Sequence, residues 1–586
     1  MQGTSGLRLT RAGGGCSDAP MPSIRVPLFA IVLCGALGPL RAQVITESGP
    51  AEDMRSRLES AAAQEQSGTR LPSDQQLEAA GARIGDIEIR TIQIFDLSDP
   101  ADDNWLFRTA NRLHPRTRES TIAAQLLFRR GDLYSRRLLD ETARNIRQRI
   151  AFVREPEIRP IRYHDNVVDL VVVTQDVWTL QPGVNFGRSG GTNTSSVDFS
   201  DSNFLGYGKS IEVGHGENVD RSSTFLLWQD PDIWGSRWTD GALYERNSDG
   251  TVWALGAGKP FYSLETPYAT GGDLGYNHSV VTRYRLGLPY DAYDDERRTG
   301  DLFIGDALWI GDRWTERLML GWRLDRNHFT LAPDAPLLAP LPLDRTLSYP
   351  FARMQWIEND YDTMRNLDLI ARTEDVHFGL DLSVGFGVAT PDFGADRHSL
   401  IADTEINYGW RLSERQDLFL ASRLATRVED GALHDAIVTW SSSYYLTTSA
   451  LTRLLVRFSG DSGHNLDGDH TLQLGGDTGL RGYPLRYQNG NQRALVTLEE
   501  RLYTNYYLFR LVNVGAAAFY DMGRTWGTTL VPTPQLGLLK DAGVGLRLGN
   551  ARSSFGRVIH IDLAVPLDRS ASISALQFLV NTQLTF

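Results

Sequence analysis

The chain has 586 residues, a formal net charge of −13, 41% hydrophobic residues and 55 glycines. Its length is enough for about three or four ordinary domains, or for fewer if one of them is a large β-structure. The acidic balance argues against a nucleic-acid partner, which usually meets a basic face, and the hydrophobic and charged fractions exclude both a helical membrane protein and a disordered chain.

The N-terminal segment has the composition of a secretory signal. Arg25 precedes an apolar run over residues 26–40, and a small residue, Ala42, follows. A charged flank, an apolar run of this length and a small residue at the cleavage point are typical of a signal peptide. We therefore predict a signal peptide at residues 1–42, cleaved after Ala42.

Two alternatives bear on this segment. The stretch before Arg25 is long for a signal, so Met21 is a more ordinary start than Met1. Cys34 could instead carry a lipid, but a leucine precedes it where a small residue is expected. Cys16 and Cys34 are the only cysteines, and cleavage of the signal would leave a mature chain without cysteine.

Residues 43–83 are predicted to form a polar linker, partly helical, because they are rich in Gln, Glu, Ala and Ser and show no sustained apolar period. The next elements are predicted as a strand at 84–95, helices at 104–114 and 136–150, and strands at 152–163 and 167–180. In the second helix the apolar stripe consists of Leu138, Leu139, Thr142, Ile146 and Ile150. This order predicts a small α+β domain at 84–180 with its own core.

From residue 181 the apolar period changes to two. The even positions of 376–388 are apolar and the odd ones are polar or small, and the same alternation recurs at 317–325, 558–565 and 576–586. Beyond the predicted signal, no apolar run approaches the about 20 residues of a membrane helix, so a secreted chain with this pattern is expected to cross a membrane as a closed β-barrel. At about 25 residues per strand and connection, residues 181–586 predict an all-β transmembrane barrel of about 16 antiparallel strands, within a range of about 14–18. A soluble β-sandwich is the disfavoured alternative.

Two short segments of the predicted barrel suggest an ion pair. One is a glycine-rich connection at 475–484 that contains Arg481, and the other is Phe519-Tyr520-Asp521-Met522-Gly523. The strand period places Phe519, Asp521 and Gly523 on the inner face. A guanidinium meets a carboxylate with two parallel hydrogen bonds, so Arg481 is the natural partner of Asp521. The alternative is two solvated charges in a wet channel.

These segments resemble motifs of the BamA-like superfamily of outer-membrane assembly and secretion barrels, which includes the bacterial surface antigen proteins. Leu480-Arg481-Gly482-Tyr483 is similar to a loop motif of an aliphatic residue, Arg, Gly and an aromatic residue, and Phe519-Tyr520-Asp521-Met522-Gly523 to a strand motif F-x-D-x-G. Further similarity lies in the segments Asn203-Phe204-Leu205-Gly206 and Trp228-Gln229-Asp230-Pro231, in Glu499 and in the terminal Phe586. The element order of 84–180 is similar to a polypeptide-transport-associated (POTRA) domain.

The resemblance implies a lock between loop and barrel formed by Arg481, Gly482, Tyr483, Phe519, Asp521 and Gly523. It further implies that Glu499 lies in the lumen and that Phe586 is part of an outer-membrane targeting signal. The family's barrel has sixteen strands, and its main assembly factor carries several POTRA domains. Since 43–83 has no room for another, an accessory or paralogous member is expected.

The function implied by the resemblance is to assist insertion or translocation of other polypeptides at the bacterial outer membrane, with the N-terminal domain in the periplasm. The expected partners are outer-membrane lipid and lipopolysaccharide, an unfolded β-rich polypeptide and periplasmic accessory proteins, with no nucleic acid. The alternative is a passive pore. No enzyme activity, catalytic residue, cofactor or metal is expected. The residues His464, Asp467, Asp469 and His470 could bind a divalent cation, but the Gly and Asn among them favour a solvated turn.

Overall fold

The computed structural model describes residues 71–583, except 101, 151, 334, 551, 553, 555–557, 569, 571 and 572. The predicted signal peptide, the first part of the predicted linker and Phe586 lie outside the described residues. No helix among the described residues is long and apolar enough to cross a membrane.

The N-terminal domain, residues 71–179, contains four helices and three strands. The helices are α1 Asp74–Ala79, α2 Trp105–Leu113, α3 Glu119–Ala123 and α4 Arg136–Arg149. The strands are β1 Arg83–Ile92, β2 Val153–His164 and β3 Val167–Asp176. Strand β3 lies in the centre of the sheet, parallel to β1 and antiparallel to β2. Strand β2 is therefore an edge of this sheet.

The core of this domain forms where α4 packs on the sheet. Leu139 and Ile146 of the predicted helical stripe are buried against Leu170 and Val172 of β3. Leu77 of α1 is also fully buried in this core. Helix α1 lies before the boundary expected at residue 84, because a six-residue helix with a single buried side chain leaves too few apolar positions to reveal a period.

The remaining strands follow in chain order. They are β4 Leu180–Ser189, β5 Thr192–Phe204, β6 Lys209–Glu217, β7 Ser222–Asp230, β8 Thr239–Asn247, β9 Gly250–Lys259, β10 Tyr268–Arg285, β11 Leu288–Ile310, β12 Trp314–Leu331, β13 Arg345–Glu358, β14 Tyr361–Arg365, β15 Thr373–His377, β16 Leu380–Ala389, β17 Ser399–Ser413, β18 Gln416–Glu429, β19 Ala432–Thr447, β20 Thr452–His464, β21 Leu472–Leu474, β22 Gln488–Gly490, β23 Gln492–Leu508, β24 Val512–Trp526, β25 Leu539–Asn550, β26 Val558–Pro566 and β27 Gln577–Gln583. All except β14, β15, β21 and β22 belong to one closed barrel.

The barrel has 20 antiparallel strands, so the expected number of about 16 was wrong. The expectation allowed too many residues for each connection. Gly190-Gly191, Ser248-Asp249 and Leu286-Gly287 each join two strands with only two residues. Such tight turns need residues with positive φ, which Gly190, Gly191 and Gly287 supply.

Side chains alternate between the two faces of the barrel wall. Large apolar side chains are exposed on the outer face of strands all round the barrel, for example at Val184, Phe186, Leu274, Leu302, Leu320, Trp322, Phe386, Val544, Leu563 and Phe578. The inner face carries many buried polar and charged residues, which form ion pairs, together with apolar clusters such as that of Tyr445 and Leu455. An apolar outer band around a polar interior is the pattern of a membrane-spanning barrel.

The segment 376–388 does not form the single strand predicted from its alternation. Val376 belongs to β15, and Val376 and Phe378 pack with Tyr445 and Leu455 inside the barrel. The wall strand β16 starts only at Leu380. Alternation continues through the break because both parts are extended, so the period alone cannot reveal where the chain leaves the wall.

Two insertions reach the lumen from opposite ends of the barrel. The hairpin formed by β14 and β15, residues 361–377, connects β13 to β16 at the proximal end, which we define as the end that carries the N-terminal domain. The distal loop, residues 465–491, connects β20 to β23 at the other end and contains β21 and β22. Together they occupy lumen space that a barrel of this width would otherwise leave open.

The N-terminal domain covers the proximal end of the barrel. Arg118 N–H donates to Gly206 O in the β5–β6 turn at 3.1 Å. Arg237, in the β7–β8 turn, donates to Leu126 O at 2.6 Å. On the opposite side of the mouth, Arg510 of the β23–β24 turn contacts Asp99 at 2.9 Å. The domain therefore contacts turns around the mouth rather than a single strand.

Candidate functional site

The distal loop inserts Arg481 into the lumen against strand β24. Its Nε donates to Asp521 Oδ2 at 2.7 Å, and its Nη2 donates to Asp521 Oδ1 at 3.0 Å. Asp521 is fully buried. Two parallel hydrogen bonds of this kind fix both the position and the plane of the guanidinium.

A second carboxylate completes the coordination of Arg481. Arg481 Nη1 donates to Glu499 Oε2 at 2.9 Å, and Glu499, on β23, is fully buried. Strands β23 and β24 are neighbours, and both side chains point inward. We call Arg481, Asp521 and Glu499 the lock. Since two buried carboxylates face one guanidinium, the lock depends on further cations nearby.

One such cation is Arg547, on the neighbouring strand β25. It contacts Glu499 Oε2 at 3.4 Å and donates to Asp562 on β26. Asp541, directly opposite Asp521 in the β24–β25 ladder, is also fully buried. The lock therefore lies within a larger buried network of charges from four adjacent strands.

The other expected lock residues surround this network. The Arg481 guanidinium carbon lies 3.4 Å from the centre of the Phe519 ring, a cation–π contact. Tyr483 is fully buried, and its hydroxyl donates to Lys540 O at 2.8 Å. A Cβ at Gly482 would lie 2.7 Å from Asp541 Cβ, so only glycine permits this approach.

Gly523 has the same steric role at the strand. A Cβ there would lie 2.9 Å from Ala494 O and 2.9 Å from a side-chain carbon of Leu474. Leu474 belongs to β21 of the distal loop. The glycine therefore makes room for the loop to lie on the inner face of β24.

A second contact holds the distal loop to the opposite wall. Arg486 donates two hydrogen bonds to Asp220, in the β6–β7 turn, at 2.8 and 2.7 Å. The Arg486 guanidinium lies 4.4 Å from the Tyr284 ring, and the Tyr284 hydroxyl donates to Asp220 at 2.9 Å. The loop therefore spans the distal mouth with an arginine at each side.

The sequence did not predict what lies on the other side of Glu499. Arg501 Nε donates to Glu499 Oε1 at 3.1 Å, and its Nη1 donates to Leu367 O at 2.5 Å. Leu367 lies at the tip of the β14–β15 hairpin. The spacing of Glu499 and Arg501, two inward positions on one strand, was a signal that could have suggested this pair. The hairpin tip carried no such signal.

The cluster at 464–470 forms ion pairs in the structure. Arg345 donates to Asp467 and to Asp469, and Arg427 donates to Asp467 at 2.9 Å. His470 contacts Asp435. Arginines already pair with these carboxylates, which favours a charge network of the distal loop over a cation site.

The closed antiparallel wall, the apolar outer band and the polar lumen define an outer-membrane β-barrel. Its lumen contains a distal loop held by a buried arginine lock.

No family model matches the chain, and no curated protein matches it in sequence. Solved structures to which it is similar include CdiB from Escherichia coli, with 15% identity, 86% of this chain and 76% of that chain covered and a TM-score of 0.47. CdiB from Acinetobacter baumannii has 12% identity, coverage of 86% and 73% and a TM-score of 0.43. BamA from Haemophilus ducreyi lacking POTRA domains 1–3 has 12% identity, coverage of 93% and 100% and a TM-score of 0.36. These likenesses concern the fold alone.

Proposed function

We propose that this protein assists the insertion or translocation of other polypeptides at the bacterial outer membrane, by opening its barrel between the first and last wall strands. The observation that carries this proposal is the weakness of that seam. Within the described residues, β27 and β4 are joined through one paired position, Val580 opposite Arg188. In contrast, the adjacent strands β26 and β27 form a continuous ladder, from the pair Val558–Gln583 to the pair Ala564–Gln577.

The wall strands near the seam are also short. Strand β26 has 9 residues and β11, far from the seam, has 23. At about 3.3 Å per residue and a tilt of about 40°, nine residues cross about 23 Å, close to the about 25 Å of the apolar band of an outer-membrane barrel.

The two insertions into the lumen argue against the alternative of a passive pore. The distal loop and the β14–β15 hairpin enter the barrel from opposite ends, and Glu499 contacts Arg481 on one side and Arg501 on the other. A pore would need both insertions to leave. A barrel that opens laterally needs only the lock to loosen.

The N-terminal domain supplies the capture step in this proposal. Its order of strand, helices and two strands supports a single POTRA-type domain, placed in the periplasm. Strand β2 is an edge of its sheet, so its free backbone groups can pair with an extended, β-rich polypeptide without regard to side chains. Among the described residues there is one such domain, and we base the proposed accessory or paralogous role on it. Outer-membrane lipid and lipopolysaccharide would contact the apolar outer band, and periplasmic accessory proteins the exposed surface of the domain. A C-terminal targeting role for Phe586 is part of the same proposal.

The experiment that tests this function locks the seam with a disulfide. The predicted mature chain has no cysteine, so a strain lacking the gene can be complemented with the double variant Arg188→Cys/Val580→Cys. The control is Leu563→Cys/Phe578→Cys, which crosslinks β26 to β27 at a directly opposed outward pair. The abundance of outer-membrane and surface proteins is measured by quantitative proteomics with and without reductant.

We expect the seam disulfide to reproduce the deletion phenotype and reductant to reverse it, while the control complements fully. Full complementation by an oxidised seam variant would overturn lateral opening. Ion conductance in planar bilayers, unchanged by the seam disulfide and accompanied by an unchanged proteome in the deletion strain, would instead identify a passive pore.

A further inference from the structure

The β14–β15 hairpin joins the N-terminal domain to the lock. Its strands pair from Tyr361–His377 to Arg365–Thr373. Its tip lies inside the barrel, where Leu367 packs with Tyr445 and Leu455. One hairpin therefore contacts both the domain outside the proximal mouth and the charge network within.

On the side that faces the N-terminal domain, the hairpin is held by strand β2 and helix α4. Arg147 Nε, on α4, donates to Asp375 Oδ2 at 2.9 Å. The Thr373 hydroxyl donates to Glu155 Oε2 of β2 at 2.7 Å, and Arg154 donates to Ala371 O at 3.3 Å. These contacts occupy the beginning of the strand to which we assign polypeptide capture.

At the inner end the hairpin tip holds Arg501. The tip accepts from Arg501 through Leu367 O at 2.5 Å and Asp368 Oδ1 at 3.3 Å. Arg501 and Arg481 then share one carboxylate, because Glu499 Oε1 accepts from Arg501 and Oε2 from Arg481. If the tip withdraws, Arg501 loses two acceptors in a buried site, while Glu499 remains within hydrogen-bond distance of its guanidinium. Arg501 would then compete with Arg481 for that carboxylate.

The docked hairpin includes features that cost free energy. Glu155 and Ala371 both have φ near +50°, in the left-handed region that non-glycine residues rarely adopt. A buried nitrogen of Arg372, Nη1, has no hydrogen-bond partner among the described residues. Release of the hairpin would relieve both costs. The pairing of β2 is also irregular between Arg154 and Glu157, beside the hairpin.

We propose that the β14–β15 hairpin is a built-in ligand of the beginning of β2, held there by the side chains of Arg154 and Glu155, and that an extended polypeptide pairing with β2 displaces it and thereby loosens the Arg481 lock through Arg501 and Glu499. The proposal rests on the proposed function and states how opening of the barrel is regulated. In the resting protein the hairpin holds the barrel closed. Substrate at the N-terminal domain is the signal that opens it.

The first test breaks the outer contact of the hairpin and measures the lock. Asp375→Asn removes the charge that Arg147 pairs with, and the matched control Glu265→Gln removes the partner of Arg137, which joins the same helix to the barrel without passing through the hairpin. The reporter is Leu480→Cys, a fully buried loop position next to Arg481. The rate of its reaction with a membrane-impermeant maleimide is measured in intact cells, on variants with the same amount of heat-modifiable barrel.

We expect Asp375→Asn to raise the labelling rate about tenfold, the change that corresponds to about 1.4 kcal/mol, and Glu265→Gln to leave it unchanged. Arg501→Gln removes the competitor for Glu499, so it should not raise the rate by itself, and adding Asp375→Asn to it should give no increase. Equal rates for Asp375→Asn and Glu265→Gln would overturn the proposal.

The second test uses a peptide as the arriving polypeptide. A synthetic peptide with the sequence of residues 372–378 is added to the purified full chain carrying Leu480→Cys, and its Asp375→Asn version is the control. We expect only the unmodified peptide to accelerate labelling. No effect of either peptide would overturn the role of the hairpin as a ligand of β2. Because labelling needs no natural substrate, the coupling can hold while the seam experiment fails, so the two proposals fail separately.

Discussion

Arg481 and Asp521 are 40 residues apart in the chain and meet through two hydrogen bonds, of 2.7 and 3.0 Å, inside the barrel. The arginine comes from a loop and the aspartate from a wall strand. Asp521 is fully buried, so removing one partner leaves the other charge without compensation. The position of the loop therefore depends on this pair more than on any exposed contact.

The first prediction concerns this pair. Arg481→Ala and Asp521→Ala should each destabilise the inserted loop by up to about 3–5 kcal/mol, and the double change should be no worse than either single change. Trypsin cleavage at Arg486 reports release of the loop. The control is Arg297→Ala, which breaks a half-exposed pair with Asp325 and should leave cleavage unchanged. Strictly additive effects would contradict the coupling.

The second prediction concerns the close approach at Gly482. Gly482→Ala should displace the loop as strongly as loss of Arg481, because the added Cβ would lie 2.7 Å from Asp541 Cβ and 3.0 Å from Pro566 N. Gly300→Ala is the control, since its Cβ would meet its nearest atom at 3.4 Å. The same cleavage assay measures both. A Gly482→Ala protein that resists trypsin like the parent would count against a lock of this geometry.

The third prediction concerns the N-terminal domain as a folding unit. A fragment of residues 71–180 should fold cooperatively, and a fragment of 84–180 should be less stable by about 1.5–3 kcal/mol, because it lacks the buried Leu77. Leu139→Asp should unfold the longer fragment, since it buries a charge, whereas Leu133→Asp, at an exposed position, should not. Urea denaturation followed by circular dichroism measures each. Equal stability of the two fragments would show that α1 is not part of the domain.

The fourth prediction concerns the pH dependence of the second loop contact. Burial alone raises the pKa of Asp220, but the hydrogen bonds and charge of Arg486 outweigh it and hold that pKa below its ordinary value. A lowered pKa adds stability above the ordinary value of about 3.9, and this stability is lost as the pH falls through the lowered pKa. The contribution of the Asp220–Arg486 contact to protease resistance of the loop should therefore be complete at neutral pH and fall only below the ordinary pKa of an aspartate, about 3.9. Asp220→Asn should remove this acid dependence.

The sequence predicted the parts of this structure that depend on local periodicity. The inner positions Phe519, Asp521 and Gly523 follow from alternation along one strand, and the helical stripe around Leu139 and Ile146 follows from helical spacing. Both signals arise within a few neighbouring residues. Arg481 was matched to Asp521 because a guanidinium pairs with an inward carboxylate, whereas Glu499 was placed in the lumen only through the family resemblance.

Other features depend on contacts between distant segments, which no local period reveals. The contact of Arg501 with Leu367 joins residues 134 positions apart. The strand number was wrong because turn length, not strand period, decides how many strands a given length provides. The sequence did not indicate the hairpin at 361–377, because the alternation of apolar and polar residues in its second strand continues into β16.

The most direct test of the proposed function is photocrosslinking at the seam in living cells. A photoreactive residue replaces Phe186, an outward position on β4, or Leu274, an outward position on β10 far from the seam. The photoreactive residue at position 186 is expected to capture other polypeptides during growth, and the one at position 274 is not. Capture from neither position, or the same polypeptides from both, would contradict lateral opening between β4 and β27.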